Sequence, residues 1–195
     1  GMFLPYGTGA LLVRDGAVLR RAHATTADYM PAYQEDDPTG LRLDFCEHGP
    51  ELSRDFRGLR VWLPLMLHGA RAFREALTEK LELARTFHRG LVQLRAAHLP
   101  VEVVDPPQLT VVSFRLERRP GEALPAWNER NTAFLRGINA RKRVFLSSTL
   151  LPGSDGPIFT LRVCILSFRT HETRIAQALE DVAAAAAALT GGPLG

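Results

Sequence analysis

Few side chains in this sequence are suited to covalent or acid–base chemistry, and their spacing excludes the commonest sites. Lys80 and Lys142 are the only lysines among 24 basic residues, so lysine chemistry has two candidates. The six histidines, His23, His48, His68, His88, His98 and His171, never form the H-x-x-x-H pair that sets two imidazoles on one helix face for zinc. Cys46 and Cys164 make neither a disulfide framework nor a metal quartet. Gly7-Thr8-Gly9 lacks the third glycine of a dinucleotide loop, and no GK[ST] follows it. Ser147-Ser148-Thr149 has no G-x-S-x-G elbow around it. What remains is a polar segment carrying Asp28, Tyr29, Tyr33 and Glu35. A phenol on a closing loop can hand a proton to a carbanion; the plainer reading is that these tyrosines pin the loop to the body.

Those residues depend on the elements around them. Residues 10–13 read as a short buried strand after a glycine turn. Asp15-Gly16 then starts a short helix ending near His23. Residues 24–50 hold few periodic apolar side chains and several prolines and glycines, predicting a long loop of the kind that serves as a lid or binding segment. Pro50 suits the first turn of a helix over about 51–67, where Leu52, Phe56, Leu59, Leu63 and Met66 recur at helical spacing. Gly69 marks a break before a second helix over about 69–97, whose stripe runs Phe73, Leu77, Lys80 with Leu81, Ala84, Phe87, Leu91 and Leu94.

Beyond Pro100 the period changes. Strands are expected at 101–104 and 109–116, a helix at 125–140, strands at 144–150 and 158–166, and a last helix with Thr170 as its N-cap. The order from residue 69 predicts an α+β domain with a small antiparallel sheet. Residues 1–68 do not complete a domain.

The chain of 195 residues is 46% hydrophobic and 23% charged. That suits one core with a smaller appendage and excludes disorder or collagen over most of its length. The net charge of +3 is spread among mixed signs, and Arg141-Lys142-Arg143 is the one short basic cluster; no nucleic-acid partner is expected on that footing. The longest apolar stretch, 61–67, contains Pro64 and falls far short of a membrane span. No leader-like segment is expected, and two unpaired cysteines suit a reducing, cytoplasmic setting.

Several segments carry a resemblance. Residues 1–15, running Met2-Phe3-Leu4-Pro5-Tyr6-Gly7-Thr8-Gly9 into Arg14-Asp15, resemble the stretch just after the cofactor lysine of pyridoxal phosphate (PLP)-dependent amino-acid decarboxylases of the aromatic-amino-acid and glutamate decarboxylase group. Arg54-Asp55-Phe56-Arg57-Gly58-Leu59-Arg60-Val61-Trp62 is similar to that family's R-R-F-R-x-L-K-x-W helix. Ile138-Asn139-Ala140 and Leu161-Arg162-Val163-Cys164-Ile165, with Phe168-Arg169-Thr170, are similar to its later elements.

The resemblance implies a fold type I PLP enzyme. Residues 1–68 would be the end of the large PLP-binding domain, with a mobile loop at about 24–50. Residues 69–195 would be the small C-terminal α+β domain, an antiparallel sheet with helices on one face. The family's Schiff-base lysine would lie immediately before Gly1, and neither Lys80 nor Lys142 matches its motif, so the chain alone is expected to be inactive and to hold no covalent PLP. Tyr29 falls where the family's mobile loop carries the tyrosine that returns a proton after carbon dioxide leaves; phenylalanine there goes with aldehyde-forming chemistry. Tyr6, Ser53 and Arg54 are implied to contact substrate or the neighbouring subunit of a homodimer acting on an amino acid. The alternative is a stand-alone, non-catalytic dimerisation or interaction module derived from the family.

Overall fold

The computed structural model describes residues 3, 4, 6–24 and 45–190. They fall into two compact units, Leu4–Gly69 and Ala70–Gly195, the latter with Gly1–Phe3. The dividing residue interrupts helix Leu59–Ala96 (α2): Gly69 has φ 75° and ψ 153° inside an otherwise helical run. A side chain there would be strained in that left-handed region, which glycine enters freely.

In the larger unit each amphipathic element finds a partner. Strands Val101–Val103 (β1), Val111–Leu116 (β2), Ser147–Leu151 (β3) and Ile158–Cys164 (β4) form one antiparallel sheet in the order β1-β2-β4-β3. Period-two alternation sends Val112, Phe114 and Leu116 of β2 to one face, and the register sets Phe114 opposite Leu161 and Val112 opposite Val163. Helices Leu124–Ala140 (α3) and Glu172–Thr190 (α4) cover that face together with the later part of α2. Phe87 of α2 and Phe134 of α3 both meet Phe114 edge-on, with ring centroids 5.8 and 6.0 Å away. Ile175, Ala178, Val182 and Ala186 bring α4 into the same core. Each fully buried large side chain contributes roughly 1.5–3 kcal/mol relative to exposure.

Three asparagines of α3 tie this helix to the sheet. Asn131, fully buried, accepts from Leu116 N (2.8 Å) and donates to Trp127 O (3.0 Å). Asn128 accepts from Phe159 N and donates to Pro157 O. Asn139, the centre of Ile138-Asn139-Ala140, accepts from Leu146 N (2.9 Å) and donates to Leu146 O (3.0 Å). Each amide completes backbone groups that the sheet leaves unpaired, so it offsets the poor helix propensity of asparagine.

The last helix starts at Glu172 rather than beside Thr170, whose carbonyl instead accepts a hydrogen bond from Lys80. β3 starts at Ser147, three residues later than expected.

The smaller unit departs further from expectation. Helix Gly16–His23 (α1) forms as the sequence predicts, with the Asp15 carboxylate accepting from Ala17 N. Residues 10–13 form no strand: Leu11 is 78% and Leu12 96% exposed. An apolar run becomes a strand only where a neighbour pairs its backbone and covers one face. Phe45–His48 forms a single 3-10 turn inside the segment expected to be loop, and Glu47 in it pairs with Arg20 of α1 at 2.7 Å.

The expected helix over 51–67 starts only at Leu59. Arg57 grips the Glu51 carboxylate with two hydrogen bonds (2.8 and 3.1 Å), and Arg54 donates to Glu51 O (2.9 Å). These local bonds compete with the helical ladder. Of the motif Arg54 to Trp62, therefore, only Leu59 onward is helical.

Candidate functional site

The candidate site residues from the sequence are scattered. Tyr6 stands fully exposed on a turn whose next residue, Gly7, has φ 83°. Tyr29, Asp28, Tyr33 and Glu35 lie outside the described residues. Ser53 is exposed on a bend, and its neighbour Arg54 is an exposed residue on a non-helical segment rather than on the expected helix. Arg54 lines a cleft of about 460 Å³ with Phe45, Asp55, Phe56, Arg57 and Gly58. Two aromatic rings and two guanidinium groups meet there, which suits a planar or anionic group. The Arg57 guanidinium holds the Glu51 carboxyl below its ordinary range, so Arg57 is already committed to an internal partner. Among the described candidates from sequence, Arg54 is the one that lines this cavity.

Three ionic clusters in the larger unit escaped the sequence reading. Lys80 is fully buried on α2, its ammonium donating to Glu79 Oε2 (2.7 Å) and Thr170 O (2.5 Å). His171 Nδ1 lies 2.6 Å from the other Glu79 oxygen. Hydrogen bonds from Lys80 and then His171 hold the Glu79 carboxyl below its usual range. The group is a clasp between α2 and the start of α4.

Arg141 and Arg143 of the basic cluster both bond to Asp181, which is wholly buried on α4. Burial pushes the Asp181 carboxyl up, and the two guanidinium groups more than reverse that, leaving it lowered. Glu122 takes two hydrogen bonds from Arg130 and one from Arg119 N. Arg130 foremost lowers its pKa to about 2. Sequence offered one signal for these clusters: a lysine inside an apolar stripe and an aspartate just ahead of a polyalanine run need buried partners.

Among the described residues no group of three His, Cys, Asp or Glu is placed to hold a metal ion, and no helix is long and apolar enough to cross a membrane.

Comparison with known proteins gives a consistent picture. Residues 2–117 match the pyridoxal-dependent decarboxylase conserved domain. The chain is 32% identical over 187 residues to an aromatic-L-amino-acid decarboxylase of Bacillus atrophaeus, covering 95% of this chain and 36% of that protein. It is 30% identical over 131 residues to tyrosine decarboxylase 2 of Arabidopsis thaliana, covering 67% of this chain and 22% of that protein. The chain thus spans about a third or less of these relatives. Among solved structures, the Oryza sativa TDC with PLP and tryptamine superposes with a TM-score of 0.73 at 22% identity, covering 90% of this chain and 34% of that one. The Catharanthus roseus tryptophan decarboxylase in complex with L-tryptophan gives 0.64 at 24%, covering 87% and 33%. These likenesses are in fold, and the α+β class with its antiparallel sheet stands as expected.

Both lysines of the chain lie among the described residues. The Lys80 amine is enclosed and bonded twice, and Lys142 sits on an exposed turn with φ 58°.

Proposed function

Because the chain belongs to the pyridoxal-dependent decarboxylase family, we propose that it is the C-terminal portion of an amino-acid decarboxylase. Residues 69–195 are its small domain and residues 1–68 the end of its large cofactor-binding domain. The observation that carries this reading is the match over 95% of this chain to only 36% of its Bacillus atrophaeus relative. In the complete enzyme PLP supplies the electron sink for loss of carbon dioxide. The lysine that anchors it belongs to sequence upstream, because Lys80 is committed to Glu79 and Thr170. This chain alone is then inactive.

The test is direct. The purified chain mixed with PLP should show no borohydride-reducible visible band and release no carbon dioxide from aromatic amino acids. A stable, reducible band overturns the assignment of the lysine to upstream sequence.

In the complete enzyme, a homodimer, Tyr29 returns a proton to the substrate carbon that loses its carboxylate. Tyr6, Ser53 and Arg54 face substrate or the neighbouring subunit. Tyr29→Phe in an enzyme carrying this C-terminal portion should shift product from amine towards aldehyde, read by chromatography; an unchanged amine yield removes Tyr29 from that role.

A second reading, a stand-alone association module, draws on the start of α2. Trp62 (57%), Met66 (65%) and Leu67 (70%) are largely exposed there, along with Leu59 and Leu63, and such patches commonly mark interfaces. Light scattering that shows a clean monomer at high concentration counts against it.

A further inference from the structure

We propose that a groove between the start of α4 and the segment before β3 binds a small organic acid, one carboxylate on a compact apolar body such as a single ring or a short branched chain. The site lies wholly within the larger unit and shares no residue with the cleft around Arg54.

The groove follows from how two connections leave the sheet. Residues 143–146 do not pair as a strand, since β3 starts only at Ser147. After β4, a turn in which Thr170 N donates to Ser167 O (3.1 Å) carries the chain over to α4. Arg174 Nη1 donates to Arg143 O (2.8 Å) and ties the two connections together. Between them lies a cavity of about 270 Å³.

Its lining combines two chemistries. Val163, Ile165, Ile175 and Ala178 line it and belong to the main core, so the cavity offers apolar surface continuous with that core. Arg143 and Arg174 bring positive charge to the same space. Arg143 is spent on Asp181 and Glu180. Arg174 instead donates to two neutral oxygens, Arg143 O and Gln177 Oε1 (2.8 and 2.9 Å). Both bonds leave from Nη1, one of three nitrogens in a group with five N–H donors. A carboxylate is the anion that meets such a planar fork two bonds at a time.

Size and polarity choose the occupant. Ligand pockets commonly measure roughly 300–1,000 Å³, so a cavity of about 270 Å³ suits a molecule of about one ring. Inorganic phosphate would meet the cation but set its oxygens against apolar walls, and an uncharged hydrocarbon would leave the guanidinium unused. An apolar acid satisfies both halves of the lining.

Cys164 lines the same cavity and is exposed, whereas Cys46 lies outside it, so the two thiols report on the site and on the rest of the chain. The chain is alkylated with iodoacetamide in the presence and absence of 3-phenylpropanoate, and labelling of each cysteine is read by peptide mass mapping. At ten times its Kd the acid should slow labelling of Cys164 about tenfold and leave Cys46 unchanged. The isosteric 3-phenylpropanamide, which lacks the charge, should need at least about tenfold more for the same protection. Arg174→Gln should weaken protection by the acid to a similar extent, with Arg174→Lys recovering part of it. No slowing at Cys164, equal slowing at both cysteines, or equal protection by acid and amide overturns the site. Protection that Arg174→Gln leaves intact overturns the role of that guanidinium. Phosphate protecting Cys164 as well as the acid does shows an anion site without apolar selection and overturns the ligand class.

Discussion

The two units treat similar sequence patterns in opposite ways. In the larger unit the stripe at Leu83, Ala84, Phe87 and Leu91 disappears beneath the sheet, and Phe114 is clamped between rings from two helices. In the smaller unit Leu59, Trp62, Leu63 and Met66 recur with the same helical spacing and stay in solvent. The apolar run at residues 10–13 likewise forms no strand. Amphipathic periodicity states which face seeks cover; it does not state that the same chain provides the cover. Ion pairing divides the units in the same way: the carboxylates of Asp181 and Glu122 are enclosed in the larger unit, whereas the Glu51–Arg57 pair of the smaller one is exposed.

This contrast can be broken by substitution. Phe114→Ala should cost the larger unit about 3–5 kcal/mol, read by chemical denaturation, since the cavity lies where α2, α3 and β2 meet. A loss below about 1 kcal/mol would mean that this core is loosely packed and the contrast is overdrawn.

Acid should separate the units next. Glu122 has its pKa lowered to about 2, and Asp181 and Glu79 are lowered as well. A carboxylate depressed in the folded state contributes stability that is complete above its ordinary value and is lost as pH falls through its lowered one, which for Glu122 means from about 4.5 towards 2. For Glu122 this is on the order of 3 kcal/mol at most. Denaturation midpoints followed from pH 6 to pH 2.5 should therefore fall in the larger unit, and Glu122→Gln should flatten part of that fall. A midpoint independent of pH would show that these pairs give no net stability.

The smallest effect belongs to the exposed helix. Trp62→Ser should change the denaturation midpoint of the isolated chain by no more than about 0.5 kcal/mol, while lowering its tendency to associate in sedimentation. A large loss of stability would show Trp62 to be core, making the two units alike.

Legibility followed the same division. The run of elements from residue 69 was readable because each stripe and alternation is satisfied within that stretch, so local pattern and tertiary packing agree. The Asn128, Asn131 and Asn139 clamps were not readable. An asparagine inside a helix looks unfavourable until the unpaired backbone of a neighbouring strand is known. Lys80 looked like a position on an amphipathic stripe, and only the approach of Thr170 and His171 from the start of α4 makes it a buried clasp. The late start of α2 was also hidden, because helical spacing at Leu52 and Phe56 gives no account of how Arg54 and Arg57 bind Glu51. Of the candidate site, the motifs pointed to a family, but they did not indicate that Arg54 lines a cleft while Tyr6 projects into solvent.

By itself, then, the sequence determined the class of the larger unit, the order of its elements and the family to which the chain belongs, because periodicity and motif spacing are local properties. Tertiary structure alone decided which charges are enclosed and which asparagines act as clamps. Pairing depends on residues up to 92 positions apart, as between Glu79 and His171, and nothing in local spacing encodes that approach.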